Sequence, residues 1–156
     1  MLETLDRTDR RILQELQQDG RLPNAELSQR VGLSESACLR RVKALEKSGV
    51  IARYVAVLDP AKVGLSTSFL VRLTLNRQTD RDFAAFEAQV CTVPEVMECY
   101  LTTGGSDYVL RVVARDAADF ERLHSKVLTK LPGVARVESS FVLRPVVKSV
   151  ALPIGP

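Results

Sequence analysis

The sequence predicts an α+β fold class, in which a helix-turn-helix domain precedes a βαββαβ domain. Three observations support this prediction. Short amphipathic helical stretches with cap residues occupy the first third of the chain, strand-like alternation of apolar residues appears only later, and an internal repeat divides the last part in two. We expect a first domain at residues 1–54, a linker at 55–65 and a second domain at 66–156. The apolar run from Tyr54 to Leu58 has the composition of a short strand.

Cap residues predict the first two helices. Asp6 stands where an N-cap is expected, and Asp9 occupies the place of the acid in a capping box. Asp19 and the glycine after it end this helix. A second helix begins at Asn24 and ends at Gly32, because glycine readily adopts the left-handed backbone of a helix C-terminus.

A third helix follows directly after the second. Ser34 is its expected N-cap, and Gly49 closes it. Two short helices are thus joined by a turn that contains Gly32, with the apolar side chain of Leu33 filling the angle between them. This is the layout of a helix-turn-helix, whose second helix enters the major groove of duplex DNA.

The third helix has a core face and a basic face. At 100° per residue, Cys38, Val42 and Leu45 lie on one side and face the small core. We expect the DNA contacts among small, hydroxyl and basic residues outside this core face: Ser34, Ser36, Ala37, Arg40, Arg41, Lys43 and Lys47. A purely solvent-exposed helix face is the alternative for some of them.

The expected contacts divide by chemistry. Small side chains allow the helix to approach base edges, arginine can bind guanine, and lysine or arginine can bind phosphate. Ser36, Ala37 and Arg40 are assigned to base edges, and Arg41, Lys43 and Lys47 to phosphates. Residues 34–53 carry five basic and two acidic side chains, the local charge excess expected of a DNA-binding element.

Bulk composition excludes several classes of protein. No stretch approaches the roughly 18 consecutive apolar residues of a membrane span, and the N-terminus lacks the order of a signal peptide, so we expect a cytoplasmic protein without a membrane partner. Three scattered cysteines and one histidine, His124, provide neither a zinc-ligand spacing nor a histidine-based triad. We expect no metal, no cofactor and no catalytic site.

The second part of the chain contains an internal repeat. Apolar residues of a helical pattern recur 37 residues later: Phe83, Phe86 and Val90 return as Phe120, Leu123 and Val127. In both copies an alternating, strand-like segment precedes the helix, and a proline and another strand follow it. The order is therefore βαβ-βαβ, the split unit of a ferredoxin-like fold.

One face of the predicted sheet needs a cover. The two helices occupy one face, but the strands carry apolar residues on both, such as Leu70 beside Val71 and Val109 beside Leu110. A second copy of the chain is the simplest cover. Dimerisation also suits DNA binding, because paired half-sites multiply the contacts of a single short helix.

Several segments resemble the Lrp/AsnC family, also called feast/famine regulators. They are LDRTDRRIL from Leu5, LSESACLRRVKALE from Leu33, GVI from Gly49, TGGSDYVL from Thr103 and LPGV from Leu131. Their order and spacing extend the match over nearly the whole chain. The resemblance implies an N-terminal winged helix-turn-helix domain that binds double-stranded DNA, and a C-terminal domain for effector binding and assembly.

The resemblance also implies a function. Family members sense an amino acid, regulate genes of amino-acid metabolism, and form dimers that often assemble into octameric rings. We therefore expect a transcriptional regulator with an amino-acid effector, controlling amino-acid metabolism or transport genes, whose homodimers assemble into a higher oligomer, most readily an octamer. In related proteins the effector lies at contacts between dimers, close to the loop before the third strand of the second domain.

In this sequence that loop runs from Thr102 to Asp107. The candidate effector-binding residues are Met97, Tyr100, Thr102, Thr103, Gly104, Gly105, Ser106 and Asp107. Adjacent glycines expose backbone N–H groups for the effector carboxylate, Asp107 is expected to pair with its ammonium, and the hydroxyls are further partners. Met97 and Tyr100, on the preceding strand, are expected to shape the side-chain pocket. A simple hairpin turn is the other explanation of the Gly-Gly-Ser-Asp run.

Two other functions stay open at this point. An architectural DNA-binding protein would use the same first domain without sensing a ligand. Certain siroheme decarboxylases share the two-domain layout, but the second domain here has one histidine and no cluster of histidine and arginine to suit a tetrapyrrole. A sequence-specific regulator is the function that we expect.

Overall fold

The computed structural model describes residues 5–155 and divides the chain into two compact units. The first unit comprises the chain up to Val57 together with the segment from Val146 onward, and the second runs from Leu58 to Pro145. The predicted division differs at the C-terminal end, since it placed residues 146–156 in the second domain.

Three capped helices make up most of the first unit. They are α1 (Arg7–Gln18), α2 (Asn24–Val31) and α3 (Glu35–Lys47). Asp6 Oδ1 accepts the Asp9 N–H at 2.7 Å, and Asp9 Oδ2 accepts the Asp6 N–H at 3.4 Å, which completes the predicted capping box. Gly32 ends α2 with a φ of 72°, a backbone conformation that favours glycine. Ser34 caps α3 through its Oγ, as predicted.

An apolar cluster holds these helices together. Its buried members are Ile12, Leu13, Leu22, Leu27, Val31, Cys38 and Leu45. The predicted core side of α3 is confirmed, because Cys38 and Leu45 are buried and Val42 is half-buried against the cluster.

The C-terminal segment packs along α1. Gln17 exchanges two hydrogen bonds with the backbone of Leu152, donating through Nε2 and accepting through Oε1. Gln14 Nε2 donates to the Ile154 carbonyl at 3.0 Å, and the Ile154 side chain packs against the apolar cluster. These contacts explain why the segment belongs to the first unit rather than to the second.

No strand or wing hairpin follows α3 in the part of the first unit that the structure describes. Residues 54–58 do not form the strand that their composition favours. The segment has no strand partner among the described residues of the chain, and Val55 is 66% exposed. A strand needs a neighbouring edge to pair its backbone groups. A short 3₁₀ turn, Ala61–Val63, then leads to Gly64, whose φ is 77°.

The second unit has the predicted βαββαβ order. Its elements are β1 (Thr67–Leu75), α4 (Asp80–Val90), β2 (Val96–Leu101), β3 (Tyr108–Ala114), α5 (Ala117–Lys126) and β4 (Val134–Phe141). The sheet order is β2-β3-β1-β4, and every neighbouring pair is antiparallel. Phe86 on α4 and Leu123 on α5 pack with Val71 and Leu73 of β1, so both helices cover the same face. Among the helices of residues 5–155, none has the length and apolar character that a membrane crossing requires.

The opposite face of the sheet is not covered by α4 or α5. Leu70 and Arg72 of β1 point to this face, where they lie beside Arg111 and Val109 of β3. Leu70 is 38% exposed and Tyr100 of β2 is 56% exposed. The mixture of apolar and paired charged side chains is a surface that a second chain could cover.

Candidate DNA-binding face and effector pocket

One side of α3 is open and basic. Arg40, Lys43 and Lys47 are exposed on it, with Ser34 and Ser36 at the start of the helix. Ala37, also assigned to base edges, is half-buried. The predicted residues other than Ala37 and Arg41 are therefore exposed and available to a partner.

The turn before α3 sets the position of these residues. Asn24, the first residue of α2, donates from Nδ2 to the Glu35 carbonyl at 2.9 Å and so joins the starts of the two helices. The Leu33 N–H donates to the Ser28 carbonyl at 2.9 Å, while the Leu33 side chain packs against the core cluster. The N-terminal end of α3, with its partial positive charge, thereby stays at the surface.

Arg41 differs from the other basic residues. Its guanidinium pairs with Asp9 at 2.8 Å and with Asp6 at 2.7 Å, across the start of α1. Hydrogen bonds to Asp9 and Asp6 raise the pKa of Arg41. The pKa of Asp6 is lowered, chiefly by the backbone N–H of Asp9 and then by Arg41. Arg41 thus holds α3 to α1. Two carboxylates already balance the positive charge that would otherwise attract a phosphate.

A cavity of about 570 Å³ lies beside the predicted effector loop. It is lined by Gln78, Phe83, Leu101, Thr102, Thr103, Gly104 and Asp107. The structure therefore brings four of the predicted residues together at this cavity. Gly104, one of the lining residues, has a φ of 115°, which fits only glycine well.

Asp107 is held by the protein itself. Only 8% of the residue is exposed, its Oδ2 accepts the Leu75 N–H at 2.7 Å, and its Oδ1 accepts Gln78 Nε2 at 2.7 Å. The sequence predicted that this carboxylate pairs with a ligand ammonium. Its two oxygens instead serve the end of β1 and the segment after it, so the loop is more than a simple hairpin turn.

Met97 and Tyr100 do not line the cavity. Tyr100 lies opposite Val109, on the face of the sheet away from the helices, and its hydroxyl donates to Glu98 at 3.2 Å. Met97 is exposed at the point where the β2–β3 register shifts. Successive strand residues point to opposite faces, so Leu101, one position after Tyr100, takes the expected place at the cavity.

Gly105 and Ser106 serve the turn rather than the cavity wall. The carbonyl of Ser106 accepts the Thr102 hydroxyl at 3.1 Å, and the Thr102 N–H donates to the Asp107 carbonyl at 2.8 Å. Within residues 5–155, no group of three or more histidine, cysteine or acidic residues is arranged to hold a metal ion. One wall of the cavity is thus the polar loop, and the apolar side chains of Phe83 and Leu101 form the other.

Two family models match successive parts of the chain. A winged helix-turn-helix DNA-binding model matches residues 5–52, and the Lrp/AsnC ligand binding domain matches residues 68–152. The leucine-responsive regulatory protein of Salmonella typhimurium is 43% identical over 150 residues, covering 96% of this chain and 92% of that protein. The chain belongs to the Lrp/AsnC family.

Other relatives and solved structures similar to this chain are also transcriptional regulators. An HTH-type transcriptional regulator of Sinorhizobium fredii is 52% identical over 114 residues, 73% of this chain and 90% of that protein. A transcriptional regulator from Neisseria meningitidis, solved with L-Met, superposes with a TM-score of 0.92 at 41% identity, covering 96% of this chain and 97% of that one. An AsnC family regulator from Agrobacterium tumefaciens gives 0.90 at 36% identity, covering 95% and 96%.

This Lrp/AsnC protein is thus a transcriptional regulator with a DNA-binding domain and a ligand-binding domain, and its relatives are regulators rather than enzymes. The expected family, fold class and general function are confirmed. The siroheme decarboxylase alternative loses its support, because the similarity to regulators extends over both domains.

Three residues of the pocket were missed in the sequence of this Lrp/AsnC regulator: Gln78, Phe83 and Leu101. A signal for Gln78 did exist. In the predicted fold β1 runs antiparallel to β3, and the register places Leu73 opposite Tyr108. Residues just after β1 must therefore lie beside the loop that ends at Asp107.

Proposed function

We propose that the exposed face of α3 binds the major groove of duplex DNA in the cytoplasm, and that an amino acid in the cavity of the second unit controls this binding. The targets are genes of amino-acid metabolism or transport. The observation that carries the DNA part is the exposure of Arg40, Lys43 and Lys47 on a helix whose back is anchored by Cys38 and Leu45.

The DNA contacts divide along α3. Ser34, Ser36 and Ala37 lie at its N-terminal end, where short side chains and the helix dipole allow close approach to the duplex. Arg40 is placed one turn later to reach a base edge, and Lys43 with the later Lys47 reaches phosphates. Arg41 supports the face by holding α3 to α1.

Salt-dependent DNA binding tests this assignment. Lys43→Ala should weaken binding to a random-sequence duplex and reduce the slope of log affinity against log salt by about 1 for each subunit that contacts the duplex, since one phosphate contact releases about one counterion. Lys126 is an exposed lysine on α5 of the second unit. Lys126→Ala is therefore the matched control and should leave the slope unchanged. Equal slopes for wild type and Lys43→Ala would contradict the proposed face.

The effector part of the proposal depends on the cavity's two kinds of wall. Thr103 and Gly104 offer a hydroxyl and backbone donors for a carboxylate, while Phe83 and Leu101 offer apolar contacts for a side chain. This pattern favours an amino acid with an apolar side chain, the chemical class of the L-Met bound by the Neisseria meningitidis relative.

Isothermal titration with the twenty amino acids tests the effector. We expect heat from one or a few apolar members, and a change in DNA affinity at the same concentrations. Leu101→Asp should remove that heat while leaving DNA binding without ligand intact. Absence of heat for every amino acid, at each assembly state of the protein, would overturn the effector proposal.

We propose further that the open face of the sheet joins two copies of the chain, and that the dimers assemble further, up to an octamer. Leu70 and Tyr100 supply exposed apolar surface, and the Glu98–Arg111 pair at 2.8 Å satisfies the charges beside them. Light scattering should give at least a dimer for wild type and a smaller species for Leu70→Glu. A monomeric wild type at micromolar concentration would contradict this proposal.

A further inference from the structure

The hydrogen bonds around Asp107 leave one question about an amino-acid ligand: which group meets its ammonium. The Asp107 carboxylate is buried, and each of its oxygens already accepts a hydrogen bond of 2.7 Å, from the Leu75 N–H and from Gln78 Nε2. Each oxygen of Asp107 therefore already has a donor within the protein.

The Gln78 side chain is oriented by this carboxylate. A carboxylate oxygen accepts hydrogen bonds, so the group of Gln78 that lies 2.7 Å from Asp107 Oδ1 must be its NH₂. The carbonyl Oε1 then lies on the other branch of the planar amide. Gln78 is exposed and lines the cavity, and among residues 5–155 no donor is hydrogen-bonded to Oε1.

The same arrangement strengthens Oε1 as an acceptor. Donation of the NH₂ group to a carboxylate polarises the amide, because linked hydrogen bonds reinforce one another in a partly desolvated site. The series of hydrogen bonds from the Leu75 N–H through Asp107 therefore ends in the oriented amide of Gln78, a residue that lines the cavity.

We infer that Gln78 Oε1 receives the ammonium group of the amino-acid effector, and that Asp107 is a positioning residue that acts through Gln78. The inference rests on the proposed function of the cavity as an effector site. It distributes recognition over two elements: the loop with Gly104 takes the carboxylate, and the segment after β1 takes the ammonium.

Calorimetry with paired ligands tests the role of Gln78. L-Methionine and its des-amino analogue, 4-(methylthio)butanoate, differ only in the ammonium group. Gln78→Leu should lower the affinity for L-methionine about 10-fold, the scale of a hydrogen bond to a charged group, and leave the affinity for the analogue within about 2-fold. Gln89→Leu, on α4 and outside the cavity lining, is the control and should change neither.

A double-mutant cycle tests whether Asp107 acts through Gln78. In Asp107→Asn the new side-chain NH₂ donates to Gln78, so the Gln78 amide must turn to accept it. The NH₂ group of Gln78 then faces the ammonium in place of its carbonyl. It should weaken L-methionine binding in the wild-type background and have no further effect in the Gln78→Leu background. A further loss in that background would show direct contact by Asp107 and overturn the inference. Thermal melting of each variant checks that it is folded.

The remaining outcomes separate this inference from the proposed function. Equal weakening of both ligands by Gln78→Leu, or of neither, would overturn the role of Gln78 while an amino-acid site still stands. Failure of wild type to bind any amino acid would overturn the effector proposal itself and this inference with it. If the titrations select L-leucine instead, 4-methylpentanoate is the matching analogue.

Discussion

The Asp107 carboxylate should make a large contribution to the stability of the second unit. The β1–β4 register shifts between Thr74 and Leu75, and at this irregularity the Leu75 N–H donates to Asp107 Oδ2 instead of to a strand. Asp107→Ala would leave that buried N–H without a partner and would also release Gln78. The prediction is a marked loss of stability, independent of any ligand.

The size of the loss follows from the two hydrogen bonds. An unpaired buried N–H costs about 1–3 kcal/mol, and the bond to the more exposed Gln78 contributes about 1 kcal/mol, so we expect about 2–4 kcal/mol in total. With a urea m-value of about 2 kcal/mol per molar, the unfolding midpoint should fall by about 1–2 M. Asp107→Asn keeps an acceptor for the Leu75 N–H and should lose about half as much or less.

Urea unfolding of the full chain, followed by circular dichroism at 222 nm, measures this effect. The two Asp107 variants and wild type are compared at the same protein concentration, because assembly alters apparent stability. An unchanged midpoint for Asp107→Ala would refute the reasoning, since it would mean that the Leu75 N–H needs no partner from the loop.

Three further changes test other local structures. Ser34→Ala removes the side-chain cap of α3 and should cost about 1 kcal/mol, seen as a lower urea midpoint, whereas Ser34→Asp should keep the cap; equal losses for both would argue against it. Gln17→Ala removes two hydrogen bonds to Leu152, so trypsin should cut the C-terminal segment faster, and an unchanged rate would show that the segment is held by other contacts. Burial raises the pKa of Cys99 to about 11, so at pH 8 iodoacetamide should alkylate exposed Cys91 well before Cys99, and similar rates would show that the Cys99 thiol is accessible.

The elements of this fold were predictable because their signals are local. The partners of a capping box lie three positions apart, as Asp6 and Asp9 do, and a left-handed glycine such as Gly32 marks a helix end by itself. The internal repeat placed two helices and four strands in order. Side-chain period then placed Leu70 and Val71 on opposite faces of the sheet, and the structure leaves Leu70 exposed while it buries Val71.

The side-chain partners were not predictable in the same way. Arg41 has the helical position of a DNA contact, but the carboxylates that hold it lie 35 and 32 residues away in the chain. The return of the C-terminal segment to α1 depends on Gln14 and Gln17, which read as ordinary polar helix residues. Such contacts are decided by tertiary packing rather than by any local pattern.

The candidate effector site shows both situations. Composition and resemblance located the loop from Thr102 to Asp107, and the cavity does lie beside it. The role of each side chain depended on strand register, which exchanged Tyr100 for Leu101 and brought Gln78 to Asp107. A one-residue shift in register moves a side chain to the other face of a sheet, so pocket residues on strands are the hardest to assign from sequence.

Lysine modification in the presence of DNA tests the central claim most directly. Wild-type protein is acetylated with and without saturating duplex DNA in dilute salt, and each modified lysine is quantified by mass spectrometry. DNA should protect Lys43 and Lys47, on the open face of α3, while Lys126 and Lys130 of the second unit are modified as before. Unchanged modification of Lys43 and Lys47 while the protein is bound to DNA would contradict it.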